Sequence, residues 1–196
     1  MKVYLIRHGK TNGNTQKFHQ GWGDSHLTQE GIQQAQSAKE IITKKKFDRI
    51  ICSDLLRTKQ TCEIIFGENA TVEYDARLRE INNNVFVGQY TDDLYKIYGE
   101  EYKENCRRMD FSSYGGESSS EIIARTADFL HSLEQDKASD KIAVVTHGGT
   151  IKAIISNVLG CELYGTKFKI ENCSTSVIKY QNNRWTLVHL NNLQEI

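Results

Sequence analysis

Two segments far apart in the chain resemble one another: Val3-Tyr4-Leu5-Ile6-Arg7-His8-Gly9 and Ile142-Ala143-Val144-Val145-Thr146-His147-Gly148-Gly149. Each sets a histidine just beyond a short apolar run. In an open α/β sheet, ligands bind in the crevice beyond the carboxyl ends of the strands, so this pattern brings two imidazoles from opposite ends of the sequence toward one site. The glycines that follow let backbone N–H groups come close to an anion. A lone histidine at a strand end is more often a ring satisfied by hydrogen bonds; the matching pair is what points to chemistry. No His-x-x-x-His spacing or histidine–carboxylate cluster supplies further ligands, so no metal site is expected.

Two more groups could join them. Arg57, in Ser53-Asp54-Leu55-Leu56-Arg57-Thr58-Lys59-Gln60-Thr61, falls in the first turn of a predicted helix after an apolar strand. There a guanidinium can grip phosphate oxygens bidentately while the helix N-terminus adds a favourable dipole, although a surface arginine would look the same. Glu80, in Arg77-Leu78-Arg79-Glu80-Ile81, sits among apolar neighbours after a strand-like stretch. A partly desolvated carboxylate can serve as general acid, and the plainer alternative is a salt bridge to Arg77 or Arg79. A phosphomonoester carries up to two negative charges, so a nucleophile reaches phosphorus only when cations and N–H donors neutralise the equatorial oxygens. Arg7 and Arg57 can do that without magnesium. A neutral imidazole is a good nucleophile near physiological pH, provided its other ring nitrogen is fixed by a hydrogen bond. There is no Gly-x-x-x-x-Gly-Lys-Ser/Thr loop and no cysteine beside a phosphate-binding glycine loop, which sets aside NTPase, kinase and cysteine-phosphatase chemistry.

These residues need a scaffold, and the pattern supplies an α/β domain with a mostly parallel central sheet flanked by helices in three layers. Lys2 to Ile6, Arg49 to Cys52 and Lys141 to Thr146 are short, β-branched runs of the kind buried in parallel sheets. Thr28 can cap a helix with Ile32, Ala35, Ala38, Ile41 and Ile42 on one side, and Ser118 with Glu121 forms a capping box before Ile122, Thr126, Phe129, Leu130 and Leu133. Gly160 closes a helix from about Thr150 to Leu159. Ser174 to Tyr180 and Trp185 to Leu190 alternate as two strands about a turn at Gln181-Asn182-Asn183-Arg184. The stretch from Asn82 to Glu117 reads as a polar insertion of mixed helix and loop.

Composition narrows the class. The 196 residues, 38% hydrophobic, suffice for one domain spanning 1–196. Lys plus Arg and Asp plus Glu are both 25, so no overall field favours nucleic acid or an acidic membrane. The basic run Lys44-Lys45-Lys46 suits the solvated last turn of a helix. Five widely spaced cysteines without a Cys-x-x-Cys pair argue for a reducing compartment and against structural zinc. Val3 to Ile6 is too short for a signal-peptide core and no later stretch reaches membrane-spanning length, so a cytoplasmic protein without membrane contact is expected. With no proline, turns fall to Gly, Asn and Asp.

Taken together the motifs resemble the histidine phosphatase superfamily, also called the phosphoglycerate-mutase-like family, over nearly the whole chain. Leu5-Ile6-Arg7-His8-Gly9-Lys10-Thr11 followed by Asn14 is similar to the family's Arg-His-Gly signature. Gln20-Gly21-Trp22 with Asp24-Ser25-His26-Leu27-Thr28 resembles its next block, Arg57 its helix arginine, Glu80 its acid and His147-Gly148 its second histidine. The resemblance implies a phosphoglycerate-mutase-like fold and a metal-independent phosphomonoesterase with no cofactor. It implies that His8 becomes phosphohistidine, that Arg7, Arg57 and His147 surround the phosphoryl oxygens with Asn14 assisting, and that Glu80 protonates the leaving oxygen and then deprotonates water. It also assigns Gln20, Gly21 and Gly148 to phosphate or substrate binding, and the stretch 82–117 to a specificity lid. The partner implied is a small phosphorylated metabolite, with a homodimer as a possible assembly.

The family divides into hydrolases and mutases. By resemblance the mutases have Asn after the second His-Gly, a Tyr three residues after the acid and a Lys farther on; here Gly149, Asn83 and Thr91 stand there, which favours the hydrolase branch. Arg107-Arg108 falls where mutases hold a substrate-binding arginine pair, so a cofactor-dependent phosphoglycerate mutase remains an alternative, as does a non-catalytic phospholigand-binding protein. Asn83-Asn84 and His26 also depart from the hydrolase pattern, and the substrate stays open among a cobalamin-precursor phosphate, a sugar phosphate, a phosphoglycerate and a phosphoprotein.

Overall fold

A computed structural model describes residues 1–163 and 168–193. Strands β1 (Lys2–Arg7), β2 (Arg49–Cys52), β3 (Glu73–Tyr74), β4 (Lys141–Thr146), β5 (Thr175–Gln181) and β6 (Arg184–Asn192) form one sheet in the order β3-β2-β4-β1-β5-β6. The first four run parallel, while β5 and β6 are antiparallel, so the sheet is mixed. Helices α1 (Asn12–Gln16), α2 (Gln29–Ile42), α3 (Leu56–Phe66), α4 (Thr91–Arg108), α5 (Ser119–Glu134) and α6 (Gly148–Leu159) connect or flank them.

The strand alternation builds three layers. Val3, Leu5, Ile142 and Val144 face α5 and α6, meeting Phe129, Leu133, Ile151 and Ile154. Ile6, Ala143 and Val145 point the other way, onto Ala35, Ala38 and Ile42 of α2 and Cys62 and Ile65 of α3. Leu5 has no exposed surface, so Leu5→Ala would cost about 2–5 kcal/mol. The register of the two central strands positions the chemistry: Arg7 pairs with Thr146, and the ladder continues with the His8 N–H donating to the Thr146 carbonyl at 3.0 Å. The histidines one residue beyond are therefore neighbours by construction.

Caps match the chain's punctuation. Thr28 accepts the Gly31 N–H, Ser118 and Glu121 close a reciprocal box, and Gly160 ends α6 at φ 63°. The predicted start of α6 near Thr150 is two residues late, because His147 is the N-cap and both glycines are helical. At the β5–β6 turn Asn182 and Asn183 take φ 53° and 58°, the pairing a two-residue type I′ hairpin requires.

The stretch 82–117 is less polar than its composition suggested. It holds α4, kinked at Gly99, and 3₁₀ turns at Asn84–Phe86 and Ser112–Tyr114. Phe86, Leu94, Tyr102, Met109 and Phe111 are buried together and pack onto Ile122 of α5 and Ala153 of α6. Among the described residues no helix is long and apolar enough to cross a membrane.

Candidate active site

His8 closes β1 and is 2% exposed. Its Nδ1 lies 2.7 Å from the Gly9 carbonyl oxygen, which can only accept. Nδ1 therefore carries the proton and Nε2 keeps a lone pair. Burial, reinforced by the Arg57 and Arg7 charges, holds the His8 pKa well below the ordinary imidazole value, so the ring is neutral. The Gly9 N–H is tied to Thr61 Oγ1 of α3 at 3.0 Å, which fixes the turn after the strand.

His147 lies behind His8, its ring edge-on with centroids 5.2 Å apart. Arg57 Nε donates to its Nδ1 at 3.2 Å and its Nε2 sits 2.9 Å from Ser53 Oγ. Burial and the Arg57 charge keep this ring neutral as well. Arg57, 1% exposed on the first turn of α3, also donates to the carbonyls of Gly23 at 3.1 Å and Gly21 at 2.8 Å. Two of the five guanidinium N–H groups remain for another acceptor. Burial lowers the Arg57 pKa to about 10, which leaves it cationic at neutral pH.

Arg7 ends β1 opposite Thr146 and donates from Nη1 to the Ile170 carbonyl at 2.5 Å. Its Nε is buried without a hydrogen-bond partner among the described residues, 3.3 Å from where a Cβ on Gly148 would lie. A buried cationic donor left unpaired costs free energy that an incoming anion would restore.

Glu80 follows the 3₁₀ turn Ala76–Leu78. Its Oε1 accepts the Ile81 N–H at 2.9 Å and its Oε2 accepts the Gly149 N–H, at the start of α6, at 3.1 Å. The salt bridge of the plainer alternative does not form: Arg77 pairs with Asp75 and Asp128, and Arg79 with Asp54. The backbone leading to the carboxylate is held by side chains throughout. The carbonyl of Arg77 accepts from Arg125, that of Leu78 from Thr146, that of Arg79 from Thr150, and that of Glu80 from Trp22 and Arg125.

His8, Arg7, Arg57 and Glu80 meet on the wall of a cavity of about 400 Å³ together with Asn14, Gln20 and Gly21. Asn14 Oδ1 accepts the Thr11 N–H as part of the α1 cap, and the single hydroxyl proton of Thr11 lies between Asn14 Oδ1 and Gln20 Oε1, 3.0 and 2.8 Å from its oxygen. His147 and Gly148 lie behind this wall rather than on it. Asn83, Thr91 and Gly149 line it; Arg107 and Arg108 do not, and both instead pair with Glu104 on the exposed face of α4. His26 is also remote, exposed and 3.3 Å from Gln60. Lys152 and His19 line the cavity and were not anticipated. Lys152 could have been found as the residue three positions after Gly149 on one helix face; His19 carried no such signal. A larger cavity of about 740 Å³ lies across Arg7 and Asn14, against α2, but His8, Arg57 and Glu80 are absent from its wall, so the smaller one is the candidate site.

A family model described as histidine phosphatase superfamily (branch 1) matches residues 3–193. A protein called probable phosphoglycerate mutase GpmB, from Salmonella paratyphi A, is 34% identical over 193 residues, covering 94% of this chain and 87% of its own length. Among solved structures, a phosphoserine phosphatase mutant from Entamoeba histolytica in complex with phosphoserine is 28% identical with a TM-score of 0.83, over 98% of each chain. The alpha-ribazole phosphatase from Shigella flexneri is 25% identical with a TM-score of 0.87, over 100% of this chain and 98% of its own.

Proposed function

This chain belongs to the histidine phosphatase superfamily, and from that we propose that it is a metal-independent phosphomonoesterase acting on a small phosphorylated metabolite through a phosphohistidine at His8. The observation that carries this reading is the convergence, on one cavity, of a neutral imidazole with an open Nε2, the buried Arg57 guanidinium, the partly buried Arg7 guanidinium and a carboxylate. His8 Nε2 attacks phosphorus in line, and the bond from phosphorus to the ester oxygen breaks. Arg7 and Arg57 neutralise the equatorial oxygens. Glu80, each of whose oxygens keeps a second lone pair beside its backbone bond, gives a proton to the departing alkoxide. It then takes one from water as water attacks phosphorus and the Nε2–P bond breaks, releasing inorganic phosphate. His147 acts from behind, holding Arg57 by its Nε. The segment 82–117, which brings Asn83 and Thr91 to the cavity, selects the substrate.

The second reading, a phosphoglycerate mutase, is favoured by the GpmB relative. Two observations weigh against it: Gly149, Asn83 and Thr91 all line the cavity in place of the mutase residues, and the arginine pair 107–108 faces solvent with Glu104. The test is to incubate the protein with a panel of phosphorylated metabolites, 3-phosphoglycerate included, and follow free phosphate, 2-phosphoglycerate and acid-labile phosphate on His8. Phosphate release with transient labelling of His8 is expected. Efficient interconversion of 2- and 3-phosphoglycerate with little hydrolysis would establish the mutase.

A further inference from the structure

Glu80 belongs to no helix or strand, so its carboxylate is only as well placed as the backbone that carries it. The four carbonyls from Arg77 to Glu80 are each taken by a side-chain donor, and Arg125 of α5 supplies two of those bonds, to Arg77 at 2.5 Å and Glu80 at 3.2 Å. The rest of the same guanidinium is spent on Glu117, Nε to Oε1 at 2.5 Å and Nη2 to Oε2 at 2.9 Å, with the two side chains 16% and 10% exposed. Glu117 in turn closes the base of the 82–117 segment. Its N–H donates to the Asn82 carbonyl at 2.7 Å, and its Oε2 accepts the Asn82 N–H at 3.2 Å. One planar group therefore ties both ends of the lid to the backbone of the acid. A bidentate, half-desolvated pair of this kind has directional bonds that a lysine or a neutral amide cannot reproduce.

We propose that Arg125, through its pair with Glu117, is a positioning residue that couples the base of the lid to Glu80, so that the lid's seating sets the reach of the acid toward the leaving oxygen. This rests on the assignment of Glu80 as general acid. A brace needed only for stability would, when weakened, reduce turnover of every ester alike. A positioning residue penalises the substrate whose leaving oxygen needs the proton.

The experiment compares Arg125→Lys and Glu117→Gln with wild type and with Glu80→Gln. It measures the single-turnover phosphorylation rate on glycerol 3-phosphate and on p-nitrophenyl phosphate, whose nitrophenolate leaves without help. Runs are made at low temperature, with near-ultraviolet circular dichroism to verify packing. In both brace variants the rate on the alkyl ester should fall about 10- to 100-fold relative to that on the aryl ester, the scale of a small misplacement of a catalytic group. Arg125→Lys, which keeps the charge, should retain more of the ratio than a further variant, Arg125→Met. Equal losses on both esters, or a fall in melting temperature with an unchanged ratio, would overturn the proposal and make the pair a structural brace. If Glu80→Gln itself shows no difference between the esters, the acid assignment fails first and the proposal goes with it.

Discussion

Arg57 Nε donates a hydrogen bond to His147 Nδ1 across 3.2 Å, so a permanent cation rests against an imidazole that must stay neutral to receive it. The bond fixes the tautomer: Nδ1 is the acceptor and Nε2–H points to Ser53 Oγ, 2.9 Å away. Protonating His147 would set two donors against each other inside a dry interior. Burial, reinforced by the charge of the same guanidinium, holds the His8 and His147 rings neutral.

Stability should consequently depend on pH in the range where histidine titrates. His8 and His147 have folded-state pKa values well below 6.5, and burial lowers that of His19 to about 4. Below the unfolded value the denatured chain binds protons that the native chain refuses, so stability is complete above it and declines as pH falls. Each histidine contributes a slope approaching about 1.4 kcal/mol per pH unit. Urea unfolding at several pH values between 7 and 5 should show the decline; a flat profile would mean that none of the three rings is held neutral by the fold.

Replacing His8 by alanine should remove turnover, by about 10⁴-fold or more, while the sheet and helices survive. In the proposed mechanism the ring supplies the attacking atom, and its loss leaves Arg7 and Arg57 in place, so orthovanadate or inorganic phosphate should still bind. Substantial turnover in a verified folded variant would place the nucleophile elsewhere.

Hydrolysis of p-nitrophenyl phosphate should be unaffected by excess EDTA. Positive charge at the cavity comes from Arg7 and Arg57, with Lys17 and Lys152 on the same wall, and the His8 Nε2 is a nucleophile that needs no metal to generate it. Complete loss with EDTA and restoration by a divalent ion would show that the arginines do not suffice.

Gly149→Asn should damage hydrolysis without producing a mutase. A Cβ at this position would lie 2.3 Å from Glu80 Oε1 and 2.6 Å from Met109 Cε, so the acid must move to admit it. Displacement on that scale should lower the rate on an alkyl phosphate about 10²-fold, with a smaller effect on p-nitrophenyl phosphate. A variant as fast as wild type on both would show that Glu80 has more freedom than its two backbone bonds allow.

The part of the site readable in the sequence is the part written by local pattern. Strand, then His-Gly, gives the position of His8, and the parallel register of β1 and β4 carries His147 beside it. Arg57 was legible because it opens a helix after a strand. What could not be read are bonds between groups far apart in the chain, such as Arg57 to the Gly21 and Gly23 carbonyls or His147 to Ser53. No periodicity encodes which loop will drape over a guanidinium. The same holds for Glu80, whose expected partners Arg77 and Arg79 lie close in sequence but are claimed by Asp75, Asp128 and Asp54. In the stretch 82–117 the buried set Leu94, Tyr102 and Met109 recurs only once in about two turns among charged and polar neighbours, too sparse a pattern to mark a buried face.

Asn82 and Glu117 bond to each other through both backbone and side chain, so the chain leaves and re-enters the domain at nearly one point. For protein engineering this is a graft junction. A segment of different length or composition can be spliced between those two residues without altering the distance its ends must span, because that distance is set by the junction and not by what it carries. Closure entropy grows only with the logarithm of loop length, so even a longer insert adds little cost. An exchange that keeps Asn82 and Glu117 keeps the bonds of Glu117 to Arg125, and so keeps the brace on the Glu80 backbone while the chain between the two is replaced.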